Sequence, residues 1–438
     1  MKNLKISMIT LVVVSSCILL AFSFRRAVEP KKQYKPFVPP KGCVFRTVMG
    51  EESSDQHAAF KTPESVQLSI TRGLSWIAKS QNENGGWGAG SHYRQDITNP
   101  HAVQTDPATT AMVSMALLRS GSTLTTGQYS QQLKKALHYL LAAVEGSPAA
   151  SYNITELTGT QIQTKLGANI DVILTAQFLS NVVDYTQHDG ALKSRVKKSL
   201  NTCVAKIQRA QDRDGSTVGS GWAGVLQSSF ASNALESAQS VGASVDENAL
   251  QKAKDFQKKN YDAKTGDVKT EMGAGIMLYS VSGSTRASAK EARKVEEEME
   301  RAKRDGRLAQ NAPASADNLR KIGFDQDDAM KYSTAYEVYQ SAKIQAQRED
   351  IIDGFGSNGG EEFLSYLQTG ESMIIGNDNT WKTWYDNTSG RILKIQNNDG
   401  SWSGHHCITS PVFCTATCLL ILSVNNDVEK LHELGREK

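Results

Sequence analysis

The sequence predicts an all-α protein: an α/α toroid of about six helical hairpins, with inner and outer helix rings, behind an N-terminal hydrophobic segment. Two observations carry this. A unit of Gln, three residues, Gly, one residue and Trp occurs at Gln81-Gly85-Trp87 and again at Gln396-Gly400-Trp402, each time after a stretch with helical character. Of ten Pro, four (Pro30, Pro36, Pro39 and Pro40) precede residue 41. The remainder is therefore nearly free of the residue that breaks helix interiors. No segment alternates long enough to read as a strand.

The elements follow in chain order. Lys2 and Lys5 precede an uncharged, mostly apolar run from Ile6 to Phe24, closed by Arg25 and Arg26. Its length is close to the roughly 20 residues that span a bilayer. Three readings stay open: cleavage near Ala21-Phe22-Ser23, lipidation of Cys17 after Val14-Ser15-Ser16, or an uncleaved anchor. All three place the body outside the cytoplasm, periplasmic or membrane-held. The expected segments are 1–26 signal or anchor, 27–62 Pro-rich and polar tether, 63–424 toroid, and 425–438 polar tail.

Within the body, Val66, Ile70, Leu74 and Ile77 follow helical spacing, and the Gly-rich residues after Gln81 end that helix. Gln81 is expected to bond the free carbonyls at the helix end, with Trp87 packed over it. The second helices, 107–119 and 411–423, are apolar nearly all round, which marks them as buried. A degenerate copy has Gln211, Gly215 and a displaced Trp222. Further pairs are 130–145 with 169–186, 193–211 with 224–241, and 246–260 with 271–282. A fifth ends at 361–375, its partner being 331–348 or the charged stretch 286–304, which reads most simply as a solvated helix.

Composition narrows the function. With 49 Lys+Arg against 46 Asp+Glu, the net charge of +3 leaves no footprint for nucleic acid. Hydrophobic residues at 39% and charged residues at 22% argue against disorder. Six Cys in 438 residues are too few for a disulfide scaffold. Cys43 and Cys407 are available to pair outside the cytoplasm, though sequence does not set connectivity.

The repeat residues resemble the QW repeats of the terpene cyclase and protein prenyltransferase toroid superfamily, such as squalene–hopene cyclases. Residues 72–87 match the pattern at every element and 390–402 match its second half. The chain also looks like exported bacterial proteins with prenyltransferase and squalene oxidase repeats. The resemblance implies the toroid; fold does not carry function. Class II cyclases place a protonating acid in Asp-x-Asp-Asp-Thr-Ala at the start of an inner helix. Here residues 106–111 read Asp106-Pro107-Ala108-Thr109-Thr110-Ala111, with Ala108 at the acid position. A literal Asp325-Gln326-Asp327-Asp328 lacks the Thr-Ala, and makes Asp327 a candidate acid or part of an acidic helix start. Prenyltransferases hold zinc with Asp, Cys and His. Cys414 stands where the His would fall, and Asp328-Ala329-Met330 has Met for Cys, so the zinc set is not expected.

Topology supplies the remaining candidates. The loops of hairpins one, five and six should meet at one mouth, where inner-helix N-termini favour anions. They hold His92, His101 and Asp106, then Glu361 and Glu362, then His405, His406 and Cys407. Asp327, Glu361, Glu362 and His405 are the catalytic candidates. His92, His101, His405 and His406 are the candidate ligands of a divalent metal, although no cofactor is required. The plain alternative is that Glu361 and Glu362 complement a helix dipole and the His pair caps a helix. His57, His138, His188 and His432 read as surface residues. The leading expectation is a toroid that binds a ligand or partner in its central cavity. The others are an enzyme on an isoprenoid or lipid, and a glycan-acting toroid with carboxylates and aromatics at one mouth.

Overall fold

The computed structural model describes residues 62–356 and 358–436. The N-terminal apolar run, nearly all of the predicted tether, Cys43 and His57 lie outside the described residues. Those described form sixteen α-helices and no β-strand, with isolated bridges such as Ser91 to Thr160. Among them no single helix is long and apolar enough to cross a membrane.

Six helices form the core: α2 (Pro107–Arg119), α5 (Ile170–Val182), α7 (Gly224–Ser240), α9 (Met277–Arg304), α13 (Gly360–Ile375) and α15 (Pro411–Leu422). Each packs on the next, and α15 packs on α2. The helix that precedes each across a Gly-rich loop is α1 (Glu64–Lys79), α3 (Ser130–Gly146), α6 (Gly190–Arg209), α8 (Glu247–Lys258), α11 (Gln326–Gln345) and α14 (Trp381–Lys394). The sequence pairs these across the loop. The packing is offset by one helix: α3 lies on α2, α6 on α5, α11 on α9, α14 on α13 and α1 on α15, while α8 touches both α7 and α9.

The Gln, Gly and Trp of the repeat explain this offset. Trp87 is fully buried, and its Nε1–H donates to Ile77 O at 2.9 Å. Trp402 donates likewise to Ile392 O at 2.9 Å. The indole, not the Gln, therefore satisfies the helix-end carbonyl. The Gln reaches the neighbouring outer helix: Gln81 Nε2 donates to Gln132 O, Gln211 Nε2 to Ala249 O and Gln396 Nε2 to Ser69 O. Gly85 and Gly400 have φ of 88° and 98°. A Cβ there would lie 2.7 Å from Lys135 O and 2.9 Å from Arg72 O, so only Gly fits against the next helix. In the degenerate copy, Thr217 occupies the Trp position. Its N–H accepts the same role as that of Trp87, donating to a hydroxyl of the following helix. Trp222 is exposed instead.

Three sequence readings change. The stretch 286–304 is not a separate solvated helix but the continuation of α9. It buries Ala287, Ala289, Ala292, Val295, Met299 and Ala302 against α11 and its neighbours. Its Arg286 pairs with Glu236 of α7 at 2.8 Å, and its Glu291 with Lys258 of α8 at 2.8 Å. These buried charges are tolerated because each has a partner. Residues from 425 are not only a polar tail: α16 (Val428–Gly435) packs on α13 and α9. His432 is consequently buried, and its carbonyl accepts from Arg293.

Candidate functional site

The loops from three regions of sequence do meet at the N-terminal ends of the core helices. His405 N–H donates to Asn358 O at 2.7 Å, and Thr409 Oγ1 donates to Gln95 Oε1 at 3.4 Å. The short helix α4 (Gln161–Lys165) stands between them, started by Thr160 and Gln163 in a reciprocal capping box. Its Gln161 donates to Ala89 O, while its Oε1 accepts from Thr409 N and Ser410 N. One side chain thus joins the first and last loops.

Glu361 and Glu362 occupy the first turn of α13 and are buried. Glu362 Oε1 accepts from Tyr279 Oη at 2.6 Å and from Phe355 N at 2.9 Å. Its Oε2 has no hydrogen-bond partner and lies 4.0 Å from His406 Nε2. Both ring nitrogens of His406 and Oδ1 of Asn358 are also unpartnered. Buried polar atoms without partners are uncommon and mark a place for water or ligand. Glu361 Oε2 accepts from Ile408 N at 3.2 Å. Burial, then the adjacent Glu362 carboxylate, pushes the Glu361 carboxyl up to about 8. Cys407, with φ of 56°, is a half-buried thiol pushed up to about 12 by burial and then by Glu361. Burial and then Glu362 likewise raise the Tyr279 phenol.

Three aromatic rings of these loops are exposed. Tyr93 is 83% exposed, Trp222 62% and Phe355 60%. Phe355 meets the His406 ring edge-on at 5.1 Å between centroids. Lys165 Nζ sits 3.7 Å over the Trp222 ring, a cation–π contact. The His92 ring lies 6.4 Å from that of Trp222, and burial followed by Lys165 lowers its pKa.

The structure separates the predicted residues. His92, Glu361, Glu362, His405, His406 and Cys407 come to the mouth. His101 does not: its Nε2 lies 3.2 Å from Lys79 O, at the end of an outer helix. His92 bonds Gln95, and His405 lies 3.3 Å from the Asn358 amide. Among the described residues no three His, Cys, Asp or Glu side chains meet as a metal site would require, so His92, His101, His405 and His406 form no set. Cys414 is buried, with its thiol donating to Ile408 O at 3.4 Å. Asp327 is exposed in the first turn of α11, where Asp325 caps the helix by accepting from Asp328 N.

Sequence reasoning missed Tyr279, Lys165, Phe355 and Asn358. It also missed Asp171, whose signal was a single acid in the otherwise apolar start of α5. Asp171 Oδ1 accepts from Ala108 N at 3.0 Å and its Oδ2 from Gln163 Nε2 at 2.7 Å. Burial and then Asp106 raise its carboxyl to about 7; burial raises Asp106 to about 6 against the bonds from Thr109 and Ala89. Both carboxyls are fully engaged in tying α2 to its neighbours.

A partly open cavity between Met112, Met115, Gln177, Phe230, Leu367 and Leu420 has a volume of about 30 Å³, room for little more than a water. Asp427 and Lys430, beside α16 and on it, help close it. No model of a known protein family matches the chain, and no curated protein matches it in sequence.

Proposed function

We propose that this chain is an α/α toroid of the terpene cyclase and prenyltransferase type. In this reading it is exported or anchored through its N-terminal segment, and it binds a ligand at its mouth instead of converting an isoprenoid in its centre. The closed succession of core helices and the Gln396 link from last to first outer helix support the toroid. The observation that carries ligand binding is the buried, unpartnered Glu362 Oε2 facing the unpartnered His406 ring. The small central cavity argues against a bound isoprenoid, and the buried Ala108 against alkene protonation at that position.

Glu361 and Glu362 support a second reading, acid–base catalysis at the same mouth. Glu361 holds its proton up to about 8 while Glu362 accepts from Tyr279 and Phe355. Incubating the full-length chain with squalene and with farnesyl diphosphate, followed by mass spectrometry of extracted products, tests the main reading. It expects neither substrate to be converted. Conversion that Glu361→Gln abolishes would replace binding with catalysis.

A further inference from the structure

We infer that the surface shared by α3 and α6 binds an acidic, extended segment of a partner protein. This is independent of the ligand-binding reading above. The helix α6 carries six Lys or Arg (Lys193, Arg195, Lys197, Lys198, Lys206 and Arg209) and no Asp or Glu. Each of the other five helices that precede a core helix carries both signs. Opposite charges three or four residues apart steady an exposed helix, whereas Lys193 with Lys197, and Arg195 with Lys198, set like charges at that spacing. The stability of α6 therefore does not account for its charge. Two of the six are already engaged. Lys206 is buried, with its Nζ donating to Pro148 O and Ser151 O, and Arg195 bonds Glu145 of α3 through both Nε and Nη2. Lys197, Lys198 and Arg209 are exposed, Arg209 donating to Ala149 O from one nitrogen.

The cations form a continuous strip. Lys135 and His138 lie one turn apart on α3, both exposed, and Arg195 Nη1 is 3.5 Å from His138 Nδ1. From there Arg195, Lys198, Thr202, Ala205 and Arg209 follow one side of α6 at three- and four-residue spacing, over about 21 Å. Two open grooves border the strip. One, of about 510 Å³, is lined by Pro107, Tyr139, Ala142 and Ala143, with Lys135 and His138 beside them. The other, of about 540 Å³, is lined by Lys198, Asn201, Thr202, Ala205 and Arg209. Acids around the strip do not cancel it. Glu145 is held by Arg195, Asp246 beside the end of α6 caps α8 through Asn248 N and Ala249 N, and Glu83 shares the first groove with Lys135. A row of like charges along a surface attracts a polyanion. A planar bilayer meets ridges and not recesses, so the grooves favour a chain. The apolar lining of the first groove suits an apolar side chain, and burying a uronate or phosphate polymer there would strand its polar groups. About six residues of extended peptide, at about 3.3 Å each, match the length of the α6 strip.

The test is the fluorescence anisotropy of a fluorescein-labelled peptide of alternating Glu and Ala with a Phe near one end, titrated with the full-length chain. Anisotropy should rise to saturation, and a peptide with Gln in place of every Glu should give no rise. Lys135→Glu and Lys198→Glu should each weaken binding roughly threefold to tenfold. Raising salt from about 50 to about 300 mM should weaken it as well. Both lysines are exposed, so an unchanged melting temperature reports intact folding. Lys394→Glu, a reversal at an exposed position of α14, should leave binding unaltered. No saturable rise, equal binding of the Gln peptide, or binding that both reversals on the strip leave unchanged overturns the proposal. Polygalacturonate or phosphatidylglycerol vesicles, if bound through Lys135 and Lys198 when the peptide is not, would overturn the peptide as occupant.

Discussion

Replacing Gln396 by Ala removes three hydrogen bonds at one place. Its Nε2 donates to Ser69 O at 3.0 Å and Gly400 O at 2.9 Å, and its Oε1 accepts from Ser69 Oγ at 2.9 Å. At about 1 kcal/mol net for each bond, the loss is about 3 kcal/mol. The described body of about 375 residues carries an unfolding entropy of about 0.8 kcal/mol/K at the usual per-residue value. The melting temperature should therefore fall by about 4 °C. Gln211→Ala is the control: it removes the bond to Ala249 O between two consecutive outer helices, worth about 1 kcal/mol and about 1 °C. The difference matters because Gln396 joins the last outer helix to the first. Arg72 reinforces that junction by donating to Asn397 O and Asn398 O, so Arg72→Ala with Gln396→Ala should cost more than either alone. Differential scanning calorimetry reads all three. A Gln396→Ala shift no larger than that of Gln211→Ala would refute the reasoning that this glutamine closes the helix succession.

Glu361→Gln should flatten part of the pH dependence of stability. The folded carboxyl holds its proton up to about 8 against an ordinary 4.5, so folding binds the proton more tightly. Its contribution is complete below about pH 4.5 and declines as pH rises to about 8, by on the order of 5 kcal/mol, which denaturant melts across that range would read. Arg119→Ala leaves Glu371 and Asp427 without the guanidinium that bonds each at 2.6 Å, and should cost about 3–5 kcal/mol in urea unfolding. Trp402→Phe removes the indole bond to the Ile392 carbonyl, which keeps only a 3.3 Å bond from Ile395 N, and should cost about 1 kcal/mol by the same measurement. Asp327→Asn, on an exposed helix start, should change stability by less than about 0.5 kcal/mol by the same measurement.

The sequence displayed whatever depends on short-range pattern. The helix predicted at 107–119 is Pro107–Arg119, because Asp106 caps it and Pro107 suits its first position. The repeat residues were visible because each unit needs a positive-φ Gly and a buried indole at fixed offsets from the helix end. What the Gln does was not visible, since its partner is a carbonyl on another helix. The length of α9 was hidden for a related reason. Its charged half reads as solvated until Arg286, Glu291 and Arg293 are seen to find partners on α7, α8 and α16, or beside it. At the mouth, Glu361, Glu362 and His406 could be placed together by hairpin order alone. Tyr279, Lys165 and Phe355 could not, because nothing local distinguishes them from ordinary helix-start or loop residues. His101 and Asp327 were drawn in by residue type, and their positions at an outer helix end and on an exposed turn exclude them from the cluster.

The central claim is that ligand belongs at the loops around Glu362 and His406 and not among the core helices. Native mass spectrometry of the full-length chain, with metal analysis of the same sample, tests it most directly. The account predicts that no isoprenoid is retained at unit stoichiometry. An isoprenoid retained at unit stoichiometry would contradict it.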